Sequence, residues 1–169
     1  MIKKPCEKRV AFHEAGHAVA YIVMGIKFGG ATIIPDYDEG GNCISLGHTI
    51  PHTQPVQVMA RDLAVVNFSG SIAEAKYRHC SFFEYMAMSG RADFENACKM
   101  VDKSYALVIG SQPRNDLHRK FERDAKAIIN TYWIWVNAIA HALLEKKTLT
   151  FEEIIEIIEI IKPKNGKNN

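Results

Sequence analysis

From Glu7 to Met24 the chain runs with helical spacing, and from Val10 onward His13, Glu14 and His17 are set among the apolar Phe12, Ala15, Ala18, Val19, Ala20, Ile22 and Val23. A helix this apolar is buried, and burying ionisable groups without partners costs several kcal/mol. Any fold of this chain must therefore give those three side chains something to bind. Residues four apart project from one helix face with β-carbons roughly 5–6 Å apart, so the two imidazoles can grip one ion. Zinc takes nitrogen ligands at about 2.0–2.1 Å in a tetrahedron, and His13 and His17 supply two corners. Glu14 follows the first histidine, which puts its carboxylate beside a metal rather than on it, where it can take a proton from a metal-activated water. This is the His-Glu-x-x-His arrangement of metallopeptidases. Five-residue patterns also arise by chance and can face solvent, but the apolar surroundings argue against that here.

A catalytic zinc needs a third protein ligand. Two acidic residues on later helical segments qualify: Glu74 in Gly70-Ser71-Ile72-Ala73-Glu74-Ala75 and Asp93 in Ser89-Gly90-Arg91-Ala92-Asp93-Phe94. Spacing does not choose between them, and each has a plainer explanation. An aspartate in the first turn of a helix complements the helix dipole, and Glu74 fits a solvated face. His48 and His52 can line the same cleft, although lone histidines near loops more often pack or face solvent. His79, His118 and His141 have no partner at a ligand spacing. Trp133 and Trp135, on an apolar helix, read as packing anchors.

Around the first helix, Gly25 is a plausible terminator and Pro5 is suited to a first turn. Short β-branched runs, 31–34 and 43–50, flank the turn-rich segment 36–42 and predict a hairpin or small sheet. Helical spacing returns over about 55–79, with Ser69-Gly70-Ser71 as a kink or close-packing point, and again over about 90–109. Residues 114–147 form one long helix or two around a broad apolar stripe. Thr150-Phe151-Glu152-Glu153 is a capping-box pattern opening a last amphipathic helix through Ile161. The expectation is one domain over 1–162 and a disordered polar tail over 163–169.

The net charge of +2 is the difference between 21 basic and 19 acidic residues spread without large single-sign blocks, which gives no nucleic-acid footprint. No apolar stretch is long enough for a bilayer and no secretory leader is evident, so the expected location is cytoplasmic, without membrane contact. Cys6, Cys43, Cys80 and Cys98 include no Cys-x-x-Cys pair and are expected to be reduced and mostly buried. No glycine-rich phosphate loop is present.

Several stretches, in order, resemble the peptidase domain of the FtsH family of zinc metalloproteases. Ala11-Phe12-His13-Glu14-Ala15-Gly16-His17-Ala18-Val19-Ala20 is similar to that family's zinc helix, and Ala31-Thr32-Ile33-Ile34-Pro35 and Leu46-Gly47-His48-Thr49 to its next two strands. Phe68 to Glu74 resembles its small-residue helix segment, Ser89 to Ala97 the segment that ends in its aspartate ligand, and Leu143 to Ile154 its closing helices. The Asp93 segment is one residue shorter than the family's, and His48 stands where an aromatic residue is usual. The resemblance implies a mainly α domain with a small β-sheet or hairpin (α+β), zinc as cofactor, Asp93 as third ligand and Glu74 as a group supporting the ligands. It also implies an edge strand near 43–50 that holds an extended peptide.

The expected function is hydrolysis of peptide bonds in peptides or unfolded protein segments, with His13, His17 and Asp93 on zinc, Glu14 as base, and His48 in the substrate cleft. With no ATPase in these residues, ATP-driven unfolding is not expected. The alternative is a non-catalytic peptidase-like module that binds peptide or a partner protein, and a homo-oligomer is compatible with either.

Overall fold

The computed structural model describes residues 6–51, 60–82, 84, 91–107 and 114–162. It is mainly helical with small antiparallel sheets, as the α+β expectation holds. Pro5, His52 and the tail 163–169 lie outside the described residues.

Helix α1 (Glu7–Val23) is the centre of the fold, with Ala11, Phe12, Ala15, Ala18, Val19 and Ala20 buried along it. Gly25 ends it: at φ +69 it takes the left-handed conformation that costs glycine nothing. The Gly25 N–H then bonds the Ile22 carbonyl at 3.1 Å and the Ile26 N–H that of Tyr21 at 2.9 Å. Helix α2 (Ala60–Tyr77) packs along α1, and α3 (Arg91–Leu107) and α4 (Arg114–Thr131) pack on α2. The Ser69-Gly70-Ser71 segment is a close-packing point inside one continuous helix. A Cβ on Gly16 of α1 would lie 2.6 Å from the Ala73 Cβ and 2.7 Å from the Ser69 carbonyl oxygen, so the crossing requires glycine.

The 114–147 run is two helices. After Tyr132 the chain bends by 75° into α5 (Trp133–Lys146), which returns against α1. Neither helix alone is long and apolar enough to cross a membrane, and the apolar stripe of the pair, including Ile129, Val136, Ile139 and Leu143, lies in the core. Trp133 and Trp135 are half-buried at its edge. Trp133 stacks on Phe12 at 5.7 Å and Trp135 against Tyr132 at 4.4 Å. Helix α6 (Phe151–Ile161) opens with the expected capping box: the Glu153 N–H donates to Thr150 Oγ1 at 3.2 Å and the Thr150 N–H to Glu153 Oε2 at 3.0 Å.

Strand β1 (Phe28–Thr32) is central, paired antiparallel with β4 (His48–Pro51) on one side and β5 (Thr148–Thr150) on the other. Strands β2 (Asp36–Tyr37) and β3 (Cys43–Ser45) form a separate hairpin. The 43–50 run is thus two strands, broken at Leu46-Gly47. The closing segment also departs from purely helical expectation, because β5 is inserted between α5 and α6. Leu149 there is fully buried and both its neighbours are exposed, an alternation too short to register as a strand signal in sequence. The thiols differ as well: Cys6 and Cys43 are exposed, Cys80 and Cys98 half-buried, and none of the four forms a disulfide.

Candidate metal site

Helix α1 carries His13, Glu14 and His17 to a cavity of about 440 Å³, where α2 and α3 bring Glu74 and Asp93 and β4 brings His48. His13 Nε2 and His17 Nε2 are 3.0 Å apart. Asp93 Oδ2 lies 2.7 Å from the first and Oδ1 3.9 Å from the second. These three residues offer ligand atoms within 4.8 Å of one another. Ligands at 2.0–2.1 Å around a tetrahedral zinc are about 3.3 Å apart, and the observed separations straddle that value.

The remaining ring nitrogens determine what the cluster can hold. His17 Nδ1 is 2.9 Å from the Val66 carbonyl oxygen, which only accepts, so Nδ1 carries the hydrogen. His13 Nδ1 is 3.3 Å from Glu74 Oε2, another acceptor. In both neutral rings the lone pair is then on Nε2, and both lone pairs face the Asp93 carboxylate. Three electron-pair donors at these distances repel unless a cation, a proton or a metal ion, lies among them. The titration behaviour has the same origin. Burial pulls the His13 imidazole down, but hydrogen bonds to Asp93 and Glu74 outweigh it and hold the pKa well above the usual 6.5. Burial raises Asp93, yet its bond to His13 brings it down to about 2.

Glu74 stands off the cluster, and so the structure separates the two candidates that spacing left level. It is buried, with burial raising its pKa and His13 and Arg9 together pulling it below the usual range. The Arg9 Nε–H donates to Glu74 Oε1 at 2.7 Å, and Arg78 Nη1 is 3.7 Å from the same oxygen. Glu14 is also buried, and Thr49 on β4 donates to its Oε2 at 3.1 Å. The glycine in the small-residue segment makes room for a ligand, since a Cβ on Gly70 would fall on the His17 imidazole.

His48 lines the cavity, with its Nδ1 3.0 Å from Asp36 Oδ2 on the hairpin. The other described histidines lie elsewhere. His79 and His141 are exposed, and His118 sits between the rings of Phe68 and Phe94 at 5.0 and 5.4 Å. Arg9, Thr49, Gly70 and the Val66 carbonyl were not assigned from sequence. Arg9 had a usable signal, four residues before His13 on the same helix face, whereas the others reach the site only through tertiary packing.

No protein-family model matches the chain, and no curated protein matches it.

Proposed function

We propose that the chain is a zinc-dependent metallopeptidase acting on extended peptide or unfolded protein segments. The supporting observation is the convergence of two Nε2 lone pairs and a carboxylate on one point, beside a buried glutamate that is not among the three. His13, His17 and Asp93 would hold the ion by Nε2, Nε2 and a carboxylate oxygen, leaving a fourth position open, as catalytic zinc sites do. Zinc there supplies a Lewis acid that makes water acidic enough to be deprotonated near neutral pH.

The chain's own groups do the rest. Glu14, aimed by Thr49, takes the proton from the attacking water and passes it to the leaving amine. Val66 and Glu74 fix the tautomers of His17 and His13, and Arg9 holds Glu74 in place. Strand β4 is the free edge of its sheet among the described residues, and its His48 and Thr49 line the cavity. A peptide adding there by main-chain hydrogen bonds would pass the cluster in extended form.

The test is metal dependence of cleavage. An unstructured peptide incubated with the chain should yield fragments, resolved by mass spectrometry, whose new ends carry the elements of one water. Phenanthroline should stop the reaction and added zinc restore it. Cleavage that persists in chelator would overturn the proposal.

A further inference from the structure

The proposed reaction leaves one role without a residue. When a peptide carbonyl is attacked its oxygen gains negative charge, and a hydrogen-bond donor aimed at that oxygen typically speeds the step about 100–1,000-fold. Several donors on the cavity wall are already engaged. Thr49 donates to Glu14 at 3.1 Å, the Arg9 Nε–H to Glu74 at 2.7 Å, and Ser45 Oγ to the Gly47 carbonyl. Two further wall residues, Tyr21 and Asn67, carry side-chain donors that no described residue accepts from.

Tyr21 is the better placed of the two. At about 100° per residue, α1 sets Tyr21 between His17 and Glu14 around its circumference, about 40° from the first and about 20° from the second. Long side chains on a helix lean toward its N-terminus, so Tyr21 extends back along α1 toward the turn that bears His17 and Glu14. Burial, and after it the Glu14 carboxylate, raise the Tyr21 pKa above its usual 10.0, so the phenol keeps its proton and is a donor. The ring is also held. It stacks on Phe28 at 5.2 Å with the planes 23° apart, and the buried Phe28 meets Phe151 edge-on at 5.3 Å. Phenylalanine would stack as well; what tyrosine adds is a hydroxyl in the cavity that holds Glu14.

We infer that the Tyr21 hydroxyl donates a hydrogen bond to the carbonyl oxygen of the bond being cleaved, holding that oxygen as it becomes an oxyanion. The inference rests on the proposed peptidase function and adds to it a catalytic residue outside the His-Glu-x-x-His motif. A donor used in this way is felt in the tetrahedral state far more than in the uncleaved substrate.

The experiment compares the wild-type chain, Tyr21→Phe and Asn67→Ala, each zinc-loaded. The probes are a fluorescein-labelled casein peptide spanning a bond that the wild type cuts, and its phosphinic counterpart, in which a tetrahedral phosphinate replaces that bond. Binding is read by anisotropy. Tyr21→Phe keeps the ring and its stacking, so zinc content and circular dichroism should match wild type. Its affinity for the phosphinate should fall about tenfold or more, and kcat about 100-fold with KM unchanged. In a Glu14→Gln background, where the parent peptide survives, the same substitution should leave peptide affinity within about twofold. Equal phosphinate binding by wild type and Tyr21→Phe, an equal loss for phosphinate and peptide, loss of zinc, or a selective loss seen in Asn67→Ala alone would overturn the inference. The peptidase reading is scored apart. Wild-type cleavage that stops in phenanthroline upholds it whatever Tyr21→Phe does, and a wild type that cuts no peptide removes both.

Discussion

Replacing Gly70 by Ala sets two effects of opposite sign against each other. Gly70 lies inside α2, where alanine is ordinarily favoured by about 1 kcal/mol. Here the added Cβ would stand 2.6 Å from Cε1 and 2.7 Å from Cδ2 of His17, far inside contact distance. The ring cannot easily retreat, because it is buried and its Nδ1 is bonded to the Val66 carbonyl at 2.9 Å. Forcing an atom into a packed site costs about 1–3 kcal/mol. The steric cost therefore matches or exceeds the propensity gain, and Gly70→Ala should lower stability by a net amount of up to about 2 kcal/mol. Urea unfolding of the zinc-free chain measures this without any contribution from metal. The displaced imidazole should also weaken zinc binding by about 10–100-fold in competition with a chromophoric chelator. A Gly70→Ala chain that is more stable than wild type and binds zinc as tightly would refute the placement of α2 against His17.

Other outcomes follow from the groups around the cluster. Glu74→Gln keeps a hydrogen-bond acceptor for His13 but removes the charge between it and Arg9, so zinc affinity should fall about tenfold or more in the same competition assay, and unchanged affinity would dismiss the role of Glu74. Thr49→Val frees the Glu14 carboxylate, so kcat should drop about tenfold with zinc content unchanged, and loss of zinc instead would place Thr49 in metal binding. In the zinc-free chain, His13 has a raised pKa, so its contribution to stability is full below its ordinary 6.5 and is lost as pH rises through the folded value. Asp93 has a lowered one, so its contribution is full above its ordinary 3.8 and is lost as pH falls through about 2. Denaturation midpoints of the zinc-free chain should thus decline above neutrality, and zinc should abolish that decline by taking the proton's place. A zinc-free stability that rises through that range would contradict the ion pair.

What could be read from sequence was local. The spacing of His13 and His17, the Gly25 stop and the Thr150 capping box all depend on neighbours within one or two turns, and the structure reproduces them. The small-residue character of 69–71 was legible too, but its purpose was not, since that lies in His17 on a different helix. Strand β5 escaped notice because three residues between two helices have no period of their own and become a strand only by pairing with β1. The partition of Glu74 and Asp93 was equally invisible: both lie on helices at unremarkable positions, and only the packing of α2 and α3 on α1 decides which one meets Nε2 and which meets Nδ1. Thr49 and the Val66 carbonyl belong to the same class.

The central claim is that zinc on His13, His17 and Asp93 acts with Glu14 as base. Its most direct test is zinc content measured together with cleavage of quenched casein, for the wild-type chain and for Glu14→Gln. Zinc near one per chain in both, with cleavage in the wild type and none in the variant, is the predicted result. Equal cleavage by the two forms, or a wild-type chain that binds zinc and cleaves nothing, would contradict it.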